Sequence, residues 1–281
     1  MLWADTLILL TNRNRQVMMK LLPAFCLALV AIHANGEPLN SLDLPSDHVI
    51  VFGEMHGIQE IPVFVGDQVE LLLDTGKSVR MGLEFNSNDT DALNAAMLVQ
   101  DDEALHDALM ALPQWREGTD ARNGMAMAAM LQRLGRLSSQ YPGQLTVFAY
   151  DIAFDQFTST NSRDAHMAAI IGRHRTLADD SDYVLVLAGN AHAFAAPGAP
   201  WDEDFRSMVV QLKPQHPVIS LRNAQSGGEA WLCTPDCKIT PLTAMPERKK
   251  GIYLQALNMD WADSPVYHGT FFYGHASGPC G

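Results

Sequence analysis

Four runs of apolar residues, each too short for a long helix, punctuate the first two thirds of the chain. They are HVIVFG (48–53), SVRMGLEF (78–85), QLTVFAYD (144–151) and DYVLVLAG (182–189). The runs are near-continuous rather than alternating, the pattern of strands covered on both faces. Between them the apolar positions recur at helical spacing, in IPVFVGDQVELLLDTG, DTDALNAAMLV, ARNGMAMAAMLQRLGRL and NSRDAHMAAIIGRHR. Gly76 is read as a C-cap of the first helix, and Asn161 or Ser162 as the N-cap of the last. The Met/Leu stripe of the third reads as core packing rather than a metal or haem box. Strands alternating with helices predict an α/β fold with a mostly parallel central sheet flanked by helices.

After Pro200 the texture changes. SMVVQL, PVISL and EAWLC read as short strands in an antiparallel, β-rich C-terminal extension from about residue 200. The final VYHGTFFYGHASGPCG alternates aromatic and small residues and is expected to pair at a sheet edge. No linker interrupts this pattern, which predicts a single domain over 37–281.

The four main strands end in polar residues that the strands themselves do not need. The first runs into Glu54-Met55-His56, the second ends at Glu84, the third at Tyr150-Asp151, and the fourth at Asn190-Ala191-His192. In open α/β sheets the ligand crevice lies beyond the carboxyl ends of the strands, so parallel pairing brings these residues to one rim. Taken singly, Glu54 reads equally as a helix N-terminal carboxylate, and Gly189-Asn190 as a turn. Glu84 between Leu83 and Phe85 is harder to explain that way, because a carboxylate on a buried strand needs a partner. Arg163-Asp164, at the start of the fourth helix, is expected to face the same rim. Arg163 would hold an anionic group and Asp164 would steady Arg163 or a histidine, with Asp151 as a further member. Two carboxylates and two imidazoles suit activation of a water by histidine, or a divalent metal held by Glu54, His56 and His192; the spacing leaves both open. His166, His174, His268 and His275 have no comparable placement.

The chain has 281 residues, a formal net charge of −13 and a pI near 5.0. That balance argues against nucleic acid or an anionic membrane as the main partner. Near the N-terminus, Lys20 precedes LLPAFCLALVAI, an apolar run short for a membrane span. With the small-x-small site Ala34-Asn35-Gly36 it predicts a Sec-type signal peptide over 1–36, cleaved before Glu37, with Met18 or Met19 as the true start. An N-terminal membrane anchor is the alternative. Cys26 follows the bulky Phe25, so no lipobox is read, and a periplasmic or secreted location without a stable membrane span is expected. Of the remaining cysteines, Cys233 and Cys237 suit a disulfide closing a tight loop around TPD; Cys280 is then the odd one, or replaces either partner.

In order, VFGEMHGIQEIP, MGLEF, RDAHMAAII and VLAGNAHA resemble the erythromycin esterase/ChaN-like superfamily, which also takes in the Tiki and TraB proteins. The resemblance spans roughly residues 48–195. It implies an α/β fold with a Glu/His pocket formed here by Glu54, His56, Glu84 and His192, with Arg163 and Asp164 matching the family's Arg-Asp pair. Members of the superfamily hydrolyse esters with a histidine base, act as metal-dependent proteases, or bind haem outside the cytoplasm. The esterases carry G-E-x-x-H, whereas this chain has Gly53-Glu54-Met55-His56. That shorter spacing is similar to the Tiki and ChaN branches and points away from a macrolide ester. The resulting expectation is an exported hydrolase that activates water directly or through a divalent metal, on a small-molecule or peptide substrate. The alternative is a non-enzymatic periplasmic protein that binds haem or another iron ligand; Tyr267 or His268 are residues it could recruit.

Overall fold

The computed structural model describes residues 37–117, 121–233, 237–254 and 267–278. The chain divides into two units, Met1–Glu37 and Pro38–Gly281, and everything below concerns the second. The signal segment, the proposed start sites, Cys26 and Cys280 lie outside the described residues.

A seven-stranded sheet runs through this unit in the order β3-β2-β4-β1-β5-β9-β8. Its first five members are β1 (Val49–Glu54), β2 (Val79–Asn86), β3 (Leu145–Asp151), β4 (Tyr183–Gly189) and β5 (Val218–Ala224). All five are parallel, so their carboxyl ends share one edge. β9 (Gly269–Phe272) joins β5 in parallel, and β8 (Gly251–Leu254) closes the edge antiparallel to β9. β6 (Glu229–Cys233) and β7 (Cys237–Pro241) form a separate antiparallel hairpin. The fold is therefore the expected α/β architecture with an antiparallel C-terminal segment.

Two apolar cores sandwich the sheet. On one face Ile50, Phe52, Met81 and Leu83 pack against helices α1 (Glu60–Asp74), α2 (Thr90–Met97), α3 (Asp102–Met110), α4 (Pro113–Glu117) and α5 (Met125–Gln140). On the other, Val49, Val51, Val184 and Val186 pack against α6 (Thr160–Thr176) and α7 (Met208–Leu212). β1 and β4 are buried at every position, which is why their sequences read as unbroken apolar runs. Among the described residues no helix is long and apolar enough to cross a membrane.

The structure differs from the sequence expectation in five places. PVISL, expected in the antiparallel extension, is part of β5 and pairs in parallel with both β1 and β9. SMVVQL is helical rather than a strand: Ser207 caps α7 by accepting from the Val210 amide at 3.0 Å, and Met208, Val209 and Leu212 fill the core. α6 begins at Thr160 with Ser159 as N-cap in a reciprocal capping box with Ser162, two or three residues earlier than expected. The third helix starts only at Met125, after a short 3-10 turn at Ala121–Asn123. β9 is not an edge strand but lies between β5 and β8. Cys233 and Cys237 are register partners at the end of the β6–β7 hairpin; their side chains lie outside the described residues.

Candidate functional site

The rim formed by the parallel strand ends carries a dense, buried polar cluster. Glu54 is the last residue of β1 and is 5% exposed. His56 follows in the turn, its Nδ1 2.9 Å from Glu54 Oε1. Because that contact faces a carboxylate, Nδ1 donates, and the neutral ring keeps its lone pair on Nε2. Among the described residues Nε2 makes no hydrogen bond, and the side chain is 24% exposed. Burial pulls the His56 imidazolium down, but the Glu54 and Glu84 carboxylates outweigh it and hold its pKa above the ordinary histidine value.

Glu84, near the end of β2, is the hub. Its Oε1 accepts from Arg122 Nη1 at 2.8 Å and from Arg163 Nη2 at 2.9 Å, and its Oε2 accepts from the Gly189 amide at 2.7 Å. Burial alone would raise its pKa; Arg122, His192, His56 and Arg163 outweigh burial and hold it well below the usual carboxylate range. Asp151, ending β3, takes Arg163 Nε on Oδ1 at 2.9 Å and Arg163 Nη2 on Oδ2 at 2.6 Å. Arg122 Nη1 also reaches Asp151 Oδ2, at 3.3 Å. His192, in the turn after β4, has Nδ1 2.9 and 3.0 Å from the Asp164 carboxylate oxygens and Nε2 3.1 Å from Arg163 Nη1. Asp164 is fully buried and also accepts from the Met208 amide at 2.6 Å.

Glycines make this convergence sterically feasible. A Cβ on Gly53 would lie 2.9 Å from Ala193 Cβ and 3.0 Å from the Leu221 carbonyl oxygen, so only glycine lets the His192-bearing turn settle on β1. That turn is fastened by the Asn190 amide donating to the Glu54 carbonyl oxygen at 2.8 Å. A Cβ on Gly189 would lie 3.0 Å from His56 Nε2 and 3.5 Å from Glu84 Oε2, which puts the His56 ring and the Glu84 carboxylate side by side.

Glu54, His56, Glu84, Arg163, Asp164 and His192 thus share one rim, with Asp151 among them. The sequence reading missed Arg122, which reaches Glu84 from the face opposite α6. It sits in an irregular turn with no periodicity, and its only signal was a charged residue immediately ahead of a glycine-capped helix. With Glu54 and Glu84 it lines a cavity of about 10 Å³, walled by Leu83, Phe85, Met127 and Leu187. That is room for about one water molecule.

The metal expectation does not fit this geometry. Glu54 and His56 bond each other, both ring nitrogens of His192 are engaged, and two guanidinium groups supply the positive charge a metal would bring. Among the described residues no group of three or more His, Cys, Asp or Glu is arranged to hold a metal ion. The residues named for haem are engaged as well: Tyr267 donates to the Asn190 carbonyl oxygen at 2.9 Å, and His268 Nδ1 accepts from the Ser220 amide at 2.9 Å.

No protein-family model and no curated protein sequence matches the chain. Among solved structures, a mutant of the erythromycin esterase EreC in its open conformation superposes with a TM-score of 0.60 at 8% identity, over 84% of this chain and 92% of that one. A Bacillus cereus protein superposes with a TM-score of 0.56 at 10% identity, over 89% of this chain and 97% of that one. The haem-binding ChaN of Campylobacter jejuni gives a TM-score of 0.43 at 13% identity, over 65% and 84%, too slight an overlap to bear on the site. The chain shares its fold with the erythromycin esterase.

Proposed function

We propose that this protein is an exported hydrolase of ester or amide bonds that activates water with His56. The observation that carries the reading is the Glu54–His56 pair beside a buried charge cluster, with a histidine side chain 24% exposed whose Nε2 makes no hydrogen bond among the described residues. His56 Nε2 takes a proton from water as the water oxygen bonds to the carbonyl carbon. Glu54 holds the ring and stabilises the imidazolium that forms. The carbonyl oxygen gains the electron pair, which the Arg122 guanidinium held by Glu84 at the same rim stabilises. Collapse expels the leaving oxygen or nitrogen, which takes the proton back from His56. The likeness in fold to an erythromycin esterase supports a hydrolase; the substrate follows from neither the fold nor the site.

The test is turnover of a panel of esters and short peptides by the purified protein. Activity is expected to rise with pH through the raised His56 pKa and to vanish in His56→Asn and Glu54→Gln. Hydrolysis indifferent to both substitutions, or none on the whole panel, would sink the reading. A Soret shift on adding haem, lost in His56→Ala, would move it to a haem-binding protein.

A further inference from the structure

Two imidazoles stand at this rim, and the hydrogen-bond geometry separates their roles. Arg163 is nearly saturated. Its Nε donates to Asp151, both Nη2 hydrogens go to Asp151 and Glu84, and Nη1 gives one to His192 Nε2. Arginine only donates, so at 3.1 Å His192 Nε2 is the acceptor and carries no hydrogen. Nδ1 therefore carries the proton and donates to Asp164.

We propose that Asp164, His192 and Arg163 form a positioning relay. Running from the turn after β4 through α6 to β2 and β3, it fixes Glu84, and through the Gly189 amide the floor under His56, while His56 alone exchanges the proton. That His56 alone exchanges the proton rests on the hydrolase reading; the relay itself does not. It assigns Arg163 to holding Glu84 and Asp151 rather than to binding an oxyanion, since a single Nη1 hydrogen is left over.

The relay is tested without any substrate by nitrogen-15 NMR of the histidine side chains in the full chain, with His192 assigned by its loss in His192→Gln. The expected signature at neutral pH is a neutral ring protonated on Nδ1 with Nε2 as acceptor, changing to a mixture of tautomers in Arg163→Lys. A His192 protonated on Nε2, or on both nitrogens, would overturn the relay even if no turnover is found. In the hydrolysis assay, His192→Gln and Arg163→Lys are expected to lower kcat/KM on the order of 100-fold, the cost of misplacing a reacting group by about 1 Å. The acid limb set by His56 should survive in both. Loss of that limb in His192→Gln, with its retention in His56→Asn, would make His192 the base. Should His192→Gln not fold, the tautomer in the native chain still decides.

Discussion

Two histidines on α6 and the site rim show how one residue type takes opposite roles. His56 is held above its ordinary pKa by carboxylates that outweigh burial, whereas His174 has none nearby. The His174 ring stacks on Phe148 at a centroid distance of 3.6 Å, its buried Nδ1 has no hydrogen-bond partner among the described residues, and burial beside Arg80 and Arg173 pulls its pKa down to about 4. In the unfolded chain it titrates near 6.5. As pH falls from about 6.5 to 4 the unfolded state takes up a proton that the folded state refuses, so folding loses stability across that window. Above 6.5 both states are neutral and the group contributes nothing to the pH dependence. His174→Phe keeps an aromatic ring against Phe148 and removes the titration. Urea unfolding at pH 7.5 and pH 5 is expected to show a smaller acid-side loss in the variant; an equal loss would mean that other groups set the dependence.

At the level of elements, the strand exits were legible because a parallel strand buried on both faces has no reason to end in Glu, Asp or His. Glu54, Glu84, Asp151 and His192 stood out against apolar runs for that physical reason. Arg122 did not, because a 3-10 turn has no apolar period against which an odd residue shows. α7 was misread because Val209 and Val210 favour strands, while the Ser207 cap and the core contacts of Met208 and Leu212 decide for helix. The close approach of the β4 turn to His56 was equally hidden, since a glycine at a strand end reads as a turn former. It makes a sharp prediction. In Gly189→Ala the new methyl meets the far end of the His56 side chain, which can swing aside, so stability should fall by only about 1 kcal/mol. The displaced Nε2 should nevertheless cost most of the turnover. A variant that hydrolyses at the native rate would show that the His56 position beside Gly189 is not the reacting one.

Across the whole molecule, Glu84, with Asp151 beside it, ties together the helical layers on the two faces of the sheet. Arg122 arrives from the α5 side and Arg163 from α6 on the opposite face, and both bond the same oxygen, Oε1. Either guanidinium alone still compensates the buried carboxylate in part. With both removed, a charge only 5% exposed keeps the Gly189 amide and the neighbouring His56 imidazole. Removing one partner of a buried pair typically costs about 3 kcal/mol or more, mainly because the other is left uncompensated. The two arginines also repel each other, so each single loss brings relief that can be gained only once. Both effects act in the same direction. The double variant Arg122→Met/Arg163→Met is therefore expected to lose more stability than the two single variants summed, by roughly 1 kcal/mol or more. Denaturant unfolding of the four proteins of this cycle measures the excess. Additivity within about 0.5 kcal/mol would mean that the two layers are held independently and that Glu84 does not couple them.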